Sequence, residues 1–202
     1  MTDQRTRVRD GYDTLAADYD DQRSADPPAT LDALTDRLDP DDRVLDAGCG
    51  GGKPVLTRLD ADYPTVGLDF SAAQLDIARG RTDGPLVRGD VTHLPFERSS
   101  FDAVTCLYTI IHLPLDDHPA VLGEFARVLR SGGWLLLTSG DEAWTGHNDD
   151  WLDTGVRMEW SYPTADETRG TLREHGFEIE EEWPNGHPDG GDFPFLLARY
   201  EG

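Results

Sequence analysis

The stretch V-L-D-A-G-C-G-G-G-K-P at residues 44–54 constrains the fold of this chain more than any other. An apolar pair with β-favouring side chains is followed by Asp46 at the end of a short predicted strand. Glycines then let the backbone turn tightly and approach a ligand with no Cβ in between; they are Gly48, Gly50, Gly51 and Gly52. Leucines further on predict a helix, whose positive end would also face such a ligand. Because ordinary tight turns also use glycine, the loop alone does not establish a site.

Strands and helices alternate along the rest of the chain. Strands are predicted at about 43–47, 64–69, 85–90, 101–108 and 134–139, and two further strands at 177–183 and 193–200 are expected to pair. Helices are predicted at about 8–23, 31–38, 53–60, 71–78, 117–130 and 164–175. Ser71 and Thr164 are the expected N-caps of two of them, and Ser131-Gly132-Gly133 is the expected stop of the helix at 117–130. This alternation predicts an α/β fold with a doubly wound sheet.

Three aspartates close the first three predicted strands: Asp46, Asp69 and Asp90. Because the carboxyl ends of parallel strands meet at one edge of a sheet, we expect the three to gather along one rim, where ligands bind in such folds. A carboxylate after the second strand is well placed for a pair of ribose hydroxyls, and one after the third could accept from an exocyclic amine. The alternative interpretation is that these are ordinary strand-end or helix-cap aspartates in an Asp-rich chain.

The charge balance is strongly acidic. Forty Asp and Glu face eighteen Lys and Arg, which gives a formal net charge of -22, and Lys53 is the only lysine. Such a surface is typical of a protein that works in concentrated salt, where self-repulsion is screened, so a halophilic origin is expected. An acidic patch for a basic partner is the rival interpretation, but the acids are spread along the whole chain. Duplex nucleic acid, which demands a basic surface, is an unsuitable partner.

The remaining composition excludes several classes of site. No apolar run is long enough to span a membrane, and the N-terminus lacks the apolar segment of a signal peptide, so a cytoplasmic location is expected. Two cysteines, Cys49 and Cys106, indicate neither a disulfide framework nor a zinc site. The histidines have no metal-ligand spacing with cysteine or carboxylate, and no metal is predicted.

Five motifs follow one another in chain order. They are D-A-G-C-G-G-G at 46–52, G-L-D-F-S-A-A-Q-L at 67–75, G-D-V-T-H-L-P-F at 89–96, S-F-D-A-V-T-C-L-Y-T-I-I-H-L-P at 100–114 and F-A-R-V-L-R-S-G-G-W-L-L-L at 125–137. Together with Y-D-x-L-A-x-x-Y-D at 12–20, they resemble class I S-adenosylmethionine-dependent methyltransferases, in particular the branch with quinone-biosynthesis-type and other small-molecule enzymes. The resemblance fades after residue 140, in the region where that family varies most and where substrate choice usually lies.

The resemblance implies a Rossmann-like sheet of seven strands, mostly parallel with an antiparallel last strand. It implies a single methyltransferase domain over 1–202, divided into an N-terminal helical cap (1–40), a cofactor-binding core (41–139), a variable insertion (140–163) and a C-terminal helix with a strand pair (164–202). The insertion is expected to be irregular, because it is rich in Trp, Asp and Gly. The implied cofactor is S-adenosyl-L-methionine, and the implied partner is a small-molecule methyl acceptor; the oligomeric state is open.

Residue roles follow from the same resemblance. The methionine part of the cofactor would meet the glycine loop, with loop amides near its carboxylate, through Asp46, Gly48, Cys49, Gly50 and Gly52. Adenosine would be held by Asp69 at the ribose, by Phe70 and Gln74 beside it, and by Asp90 and Val91 at the adenine. Leu107 would lie under the cofactor. Tyr12 and Tyr19 would close it from above, since an aromatic face suits a sulfonium; alternatively they are helix tyrosines that pack on the domain.

His112 is the catalytic candidate, as a general base or an orienting group, because it follows the fourth strand where the acceptor should approach. The alternative is a structural histidine with a capping hydrogen bond. Trp144, Trp151 and Trp160 of the insertion could form a lid or an apolar wall for the substrate, or could be core aromatics.

Three functions are compatible with the sequence. The first is in-line methyl transfer to a small molecule, and the second is a protein that binds S-adenosylmethionine or S-adenosylhomocysteine without catalysis. The third is a dinucleotide-dependent oxidoreductase, which the order D-x-G-x-G-x-G disfavours, because hydride-transferring enzymes have G-x-G-x-x-G. A nucleic-acid methyltransferase is a lesser variant, since L-Y-T-I stands after the fourth strand where N-P-P-Y would be expected.

Overall fold

The computed structural model describes residues 3–183 and 193–202; residues 1–2 of the predicted cap and 184–192 of the predicted C-terminal region lie outside the described part. The helices are α1 (Gln4–Gln22), α2 (Thr30–Thr35), α3 (Val55–Asp60), α4 (Ala72–Ala78), α5 (His118–Val128) and α6 (Ala165–Glu174). The strands are β1 (Val44–Ala47), β2 (Thr65–Asp69), β3 (Leu86–Arg88), β4 (Phe101–Cys106), β5 (Leu129–Thr138), β6 (Trp144–Trp151), β7 (Val156–Tyr162), β8 (Phe177–Trp183) and β9 (Phe195–Tyr200).

Seven strands form one sheet in the order β3-β2-β1-β4-β5-β9-β8. The pairs from β3 to β5 are parallel, and β9 runs antiparallel to both of its neighbours. The predicted α/β sheet with an antiparallel last strand is therefore confirmed. Strand order reverses between β1 and β4, and ligands of such sheets bind beyond the carboxyl ends of the strands at this point.

Burial on both faces explains the sequence of the central strands. Every residue of β1 and β2 is buried, and β4 is buried except at Asp102. Strands covered by helices on both sides need such apolar runs, and these match the runs from which the strands were predicted. The largest fully buried side chains include Phe101 of β4, Phe125 of α5 and Phe195 of β9, so the core extends across the sheet from its parallel to its antiparallel part.

Local capping fixes where the helices begin. The Ser71 hydroxyl accepts from the amide of Gln74 at 3.2 Å, which starts α4. Thr164 and Glu167 form a reciprocal capping box at the start of α6. Both predicted N-caps are confirmed. A third, the Asp3 carboxylate, accepts from the amide of Thr6 at 2.8 Å and starts α1.

The predicted stop of the helix at 117–130 was wrong. The Ser131-Gly132-Gly133 segment lies inside β5 and does not end a helix, because α5 stops at Val128 and β5 begins at once. The pairing of β4 with β5 is irregular at this point, and Gly132 has φ of 82° there, a conformation that suits glycine.

The insertion 140–163 is a regular hairpin and not an irregular segment. β6 and β7 pair antiparallel, from Trp144 opposite Tyr162 to Trp151 opposite Val156. Most of β6 is exposed, so its sequence lacks the apolar alternation from which strands are predicted. β7 carries the buried Met158, which packs against Val8 and Leu15 of α1.

We predict that Gly67→Ala lowers the free energy of unfolding by about 1–3 kcal/mol through overpacking. A Cβ at Gly67 in β2 would lie 2.8 Å from the Leu86 Cδ2 and 3.0 Å from the Cys49 Sγ. Urea denaturation followed by tryptophan fluorescence measures the change. The matched control is Gly170→Ala in α6, where no atom lies within 4 Å; this variant should gain up to about 1 kcal/mol from helix propensity. Equal stabilities of the two variants would contradict this packing.

Candidate functional site

A cavity of about 780 Å³, including its open mouth, lies beyond the carboxyl ends of β1, β2, β3 and β4. This volume is in the range of sites for small molecules and cofactors. Among the sequence-predicted residues, those on its wall are Tyr12, Tyr19, Gly48, Cys49, Gly50, Asp69, Phe70, Gln74, Asp90, Val91, Leu107 and His112. The structure thus brings most of the candidate residues to one place, at the point where strand order reverses.

The glycine loop forms the floor of this cavity. Gly48 has φ of 85° and Gly50 has φ of 52°, conformations that most side chains avoid. A Cβ at Gly48 would also overlap the side chain of Thr109, which follows β4. The backbone amides of Gly48 and Cys49 fix the loop by donating hydrogen bonds to the carbonyl oxygen of Leu68 in β2. Glycine at position 48 is therefore required by the approach of two chain segments.

Asp69 ties this loop to the start of α4. Its Oδ2 accepts from the amide of Gly50 and its Oδ1 from the amide of Ser71, both at 2.9 Å. Burial raises the pKa of this carboxyl group to about 6, although both amides favour the charged form. Each oxygen retains acceptor capacity, and Asp69 lies on the cavity wall. A ligand with a pair of hydroxyl donors can use that capacity.

Gln74 presents an unsatisfied amide to the same cavity. Its side chain is 1% exposed, and neither its amide nitrogen nor its amide oxygen has a hydrogen-bond partner among the described residues. A buried polar group without a partner costs about 1–3 kcal/mol, so such groups are usually satisfied by a ligand or a water. Gln74 thus favours a polar ligand beside Asp69.

Asp90 lies at the far side of the wall, after β3. Its Oδ1 accepts from the amide of Thr92 at 2.9 Å and from the Thr92 hydroxyl at 2.8 Å. Its Oδ2 lies 3.3 Å from a guanidinium nitrogen of Arg5 in α1. This contact fixes the orientation of the carboxylate and ties the first turns of α1 to the rim of the sheet.

Asp46 and Gly52 lie behind the wall. The Asp46 carboxylate is 3% exposed and accepts from the Thr105 hydroxyl of the neighbouring β4 at 2.7 Å. Burial raises the pKa of Asp46 to about 7, against the effect of this hydrogen bond. Gly52 faces Ala78 of α4 and Leu56 of α3 instead of the cavity. Asp46 lies opposite Thr105 in the pairing of β1 with β4, and the hydrogen bond between them fixes its side chain.

Aromatic rings cover the cavity. Tyr12 and Tyr19 of α1 make an edge-to-face contact with centroids 5.2 Å apart, and Trp151 of the hairpin lies 5.8 Å from Tyr12 and 5.4 Å from Tyr19. Trp160 contacts Trp151 at 5.5 Å, whereas Trp144 is 45% exposed and stacks on Tyr162. Of these rings, only the two tyrosines line the cavity; Trp151 and Trp160 pack behind them against the apolar cluster of α1 and β7, as the outer layer of the cover.

His112 is held by two hydrogen bonds under this cover. Its Nδ1 lies 3.0 Å from the carbonyl oxygen of Glu159, which can only accept, so Nδ1 carries the proton. Nε2 then accepts from the hydroxyl of Tyr12 at 2.9 Å. Burial lowers the pKa of His112 to about 4, so the ring is neutral at physiological pH. The lone pair of Nε2 is therefore used by the hydroxyl of Tyr12.

Several residues of the wall were not identified from the sequence: Asp20, Arg23, Lys53, Leu68, Gly89, Tyr108, Thr109 and Leu113. Gly51, one of the glycines expected to approach a ligand, also lies on the wall. Arg23 lies four residues after Tyr19, at the spacing that puts two side chains on one helix face, so the signal was present. Tyr108 gave no such signal, because its φ of 58° follows from how the chain leaves β4. Within 3–183 and 193–202, no three His, Cys, Asp or Glu side chains are placed to hold a metal ion.

Comparisons with known proteins find similarity to methyltransferases. Residues 45–137 match the family model described as a methyltransferase domain. The methyltransferase GfsG of Streptomyces halstedii is 37% identical over 134 residues, which cover 59% of this chain and 48% of that protein. A demethylmenaquinone methyltransferase of a Mycobacterium species (strain KMS) is 41% identical over 100 residues, 50% of this chain and 42% of that protein. The chain thus spans about half the length of these curated relatives.

Residues 45–137 are therefore similar to methyltransferase domains. The whole described fold agrees, because the magnesium protoporphyrin IX methyltransferase of Synechocystis, solved with bound S-adenosylmethionine, superposes with a TM-score of 0.75 at 19% identity. That match covers 99% of this chain and 98% of the solved one. The chain thus has the same Rossmann-like fold as that solved methyltransferase. No helix among the described residues has the length and apolar character to cross a membrane.

Proposed function

We propose that this protein is an S-adenosylmethionine-dependent methyltransferase that acts on a small molecule. The observation that carries the proposal is the pair of Asp69, an anchored acceptor on the wall, and Gln74, a buried amide without a partner in the described chain. A ribose diol and an adenosine edge supply the donors and acceptors that these two side chains lack. The match of residues 45–137 to the methyltransferase-domain model supports the same assignment.

Different residues of the wall contact different parts of the cofactor. Asp69 binds the ribose hydroxyls, Phe70 and Gln74 lie beside the adenosine, and Asp90 and Val91 contact the adenine. Gly48, Cys49 and Gly50 lie along the methionine part, with Leu107 below it and with Tyr12 and Tyr19 above it. Asp46 and Gly52 act from behind the wall, by holding β4 and α4 against the glycine loop. No metal ion takes part in this proposal.

The four segments have distinct tasks in this scheme. The core at 41–139 binds the cofactor, and the cap at 1–40 covers it through α1. The insertion at 140–163 adds Trp151 to that cover, and 164–202 completes the sheet. Arg7 of the cap and Glu159 of the insertion form an ion pair at 2.7 Å, which supports the joint action of these two segments.

When bound, S-adenosylmethionine supplies a sulfonium methyl group that is already activated for transfer. The chain then has to orient an acceptor nucleophile and exclude water. We propose that His112 orients the Tyr12 hydroxyl, which donates a hydrogen bond of 2.9 Å to the Nε2 of His112. A histidine with a pKa of about 4 is a weak base, so orientation fits this site better than proton abstraction.

Within the methyltransferases, we propose that this protein belongs to the branch with quinone-biosynthesis-type and other small-molecule enzymes. The demethylmenaquinone methyltransferase match and the aromatic cover support it. The acidic composition supports a cytoplasmic protein of a halophile that does not bind nucleic acid.

Asp69→Ala should weaken the binding of S-adenosylhomocysteine by roughly 1–3 kcal/mol, the cost of removing a charged hydrogen-bond acceptor. Isothermal titration calorimetry in multimolar KCl measures this loss, with a nicotinamide dinucleotide as the competing ligand class. Asp76→Ala in the same region is the matched control, because Asp76 is exposed, lies outside the cavity wall and forms an ion pair with Arg79. Unchanged affinity in a folded Asp69→Ala variant would remove the ribose assignment, and tighter binding of the dinucleotide would favour an oxidoreductase.

Tyr12→Phe and His112→Ala should each lower methyl transfer on the order of 10²-fold, because both break the oriented hydroxyl. Transfer of a tritiated methyl group identifies an acceptor and then gives the rates. Since His112 becomes charged only below about pH 4, the wild-type rate should show no ionisation of this ring between neutral pH and pH 5. A rate that follows a group with a pKa near 6.5, lost in His112→Ala, would make His112 a general base instead. Failure to transfer to any acceptor, with the cofactor bound, would favour a non-catalytic binding protein.

The halophilic assignment predicts that the free energy of unfolding rises steeply with KCl. The screening length falls from about 10 Å at 0.1 M salt to about 3 Å at 1 M, which relieves the repulsion within a chain of net charge -22. Urea denaturation at several KCl concentrations measures this slope, and sucrose controls for effects of solutes that carry no charge. Maximal stability at low salt would contradict the assignment.

A further inference from the structure

The segment Y-D-x-L-A-x-x-Y-D of α1 has an aspartate directly after each tyrosine that covers the cavity. Asp13 follows Tyr12, and Asp20 follows Tyr19 about two helical turns later. The segment 71–81, which contains α4, lies beside this part of α1 and contacts both aspartates. Each pair of an aromatic ring and a carboxylate therefore connects the cover of the cavity to the region of α4.

Asp13 joins the first half of α1 to the start of α4. Its Oδ1 accepts from the Ser71 hydroxyl at 2.6 Å and from the Ala73 amide at 3.1 Å. The amide of Ser71 in turn donates to Asp69. A series of hydrogen bonds therefore runs from Asp69 on the cavity wall, through Ser71, to the helix that covers the cavity. Because a single oxygen of Asp13 accepts both hydrogen bonds, the oxygen of an amide side chain could replace it.

Asp20 joins the second half of α1 to the segment after α4. Its two carboxylate oxygens accept from the two terminal nitrogens of Arg81 at 2.5 and 2.6 Å, which makes a bidentate ion pair. The Lys53 Nζ donates to the carbonyl oxygen of Asp20 at 3.1 Å. Arg81 also donates to the carbonyl oxygen of Gly51 at 2.7 Å, so the same pair contacts the glycine loop. The hydrogen bonds from Arg81 lower the pKa of Asp20 against the effect of burial, so this carboxylate is charged.

α1 consists of two halves that meet at Leu15, where φ of -104° and ψ of 16° are not helical. The first half has further polar contacts with other segments: Gln4 with Ser161, Arg5 with Asp90 and Arg7 with Glu159. In the second half, residues 16–22, the hydrogen bonds and ion pairs to other described segments all involve Asp20. The polar anchoring of this half, which carries Tyr19, thus rests on one residue.

We propose that Asp13 and Asp20 are positioning residues, which anchor the two halves of α1 on the segment 71–81 and so hold Tyr12 and Tyr19 over the cavity. The proposal rests on the proposed function, because the cover has to close over a bound cofactor and exclude water from it. The two anchors differ in chemistry. Asp13 supplies one acceptor oxygen, whereas Asp20 supplies a negative charge and two oxygens. Asparagine should therefore replace Asp13 but not Asp20.

Hydrogen–deuterium exchange without any ligand tests the anchors by themselves. Asp20→Asn and Arg81→Met should each accelerate exchange of the amides of 16–22 by about ten- to a hundredfold, the range for a lost hydrogen bond between charged groups. The double variant should add little to either, because both remove the same ion pair. Arg81→Met is the decisive variant, since Arg81 lies outside the cavity wall whereas Asp20 lies on it. The amides of β4 should be unaffected.

Asp13→Ala should accelerate exchange at residues 10–14 and at the start of α4 by about tenfold, whereas Asp13→Asn should stay close to wild type. Asp18→Asn is the matched control. It removes the same charge from the same helix, and Asp18 is exposed and makes no hydrogen bond or ion pair within 3–183 and 193–202. Unchanged exchange in Asp20→Asn and Arg81→Met would overturn the proposal. So would equal acceleration in α1 and β4, which would indicate a loss of global stability.

Isothermal titration calorimetry with S-adenosylhomocysteine then tests what the anchors do for the site. The variants that accelerate exchange should each weaken binding by at least about fivefold, and Asp13→Asn and Asp18→Asn should not. Weaker binding in Asp20→Asn with unchanged binding in Arg81→Met would mean that Asp20 contacts the ligand directly, which contradicts a positioning role. Accelerated exchange with unchanged affinity would contradict it too. If the wild type does not bind S-adenosylhomocysteine, the proposed function fails, while the exchange data still decide whether the two anchors exist.

Discussion

The buried carboxylate of Asp69 is the constraint on which the rest of the site depends. It accepts from Gly50 in the loop after β1 and from Ser71 at the start of α4, so one side chain fixes two segments that the chain separates. Ser71 then caps α4, which carries Gln74 to the cavity wall. Loss of this carboxylate would free the loop and the helix start together. These amide hydrogen bonds offset only part of the cost of burying the carboxylate, because its pKa remains raised to about 6.

How much could be predicted from the sequence depended on whether an element is specified by its own residues. The buried strands β1, β2 and β4 and the caps at Ser71 and Thr164 carry their signal locally, and the structure confirms them. The hairpin of β6 and β7 carries no such signal, because most of β6 is exposed and its pairing is decided by contacts of β7 with α1. The position of the Asp46 side chain behind the wall could not be predicted, because it depends on a hydrogen bond from Thr105 of a neighbouring strand. The position of Tyr108 could not be predicted either, because it depends on a turn that no residue pattern indicates.

The cavity wall carries charges of both signs in a strongly acidic chain. The net charge of the whole chain is -22, and the wall holds Arg23 and Lys53 together with Asp20, Asp69 and Asp90. Concentrated salt screens exposed charges within a few ångströms, whereas partly enclosed groups are screened less. Arg23, whose guanidinium carbon lies 5.6 Å from the ring centroid of Tyr19 and 5.3 Å from that of Tyr108, is therefore screened less than the charges of the exposed acidic surface.

The cover of the cavity links its chemistry to the insertion. The carbonyl oxygen of Glu159 in β7 fixes the tautomer of His112, and the side chain of the same residue pairs with Arg7 of α1 and Arg157. One residue thus holds the hairpin against the cap and orients the histidine beneath them. Because Tyr12 receives its orientation from His112, a displacement of the hairpin would reach the hydroxyl at the cavity without any change in the core. Variation in the insertion can in this way alter the covered end of the site while the sheet, the loop and Asp69 stay in place.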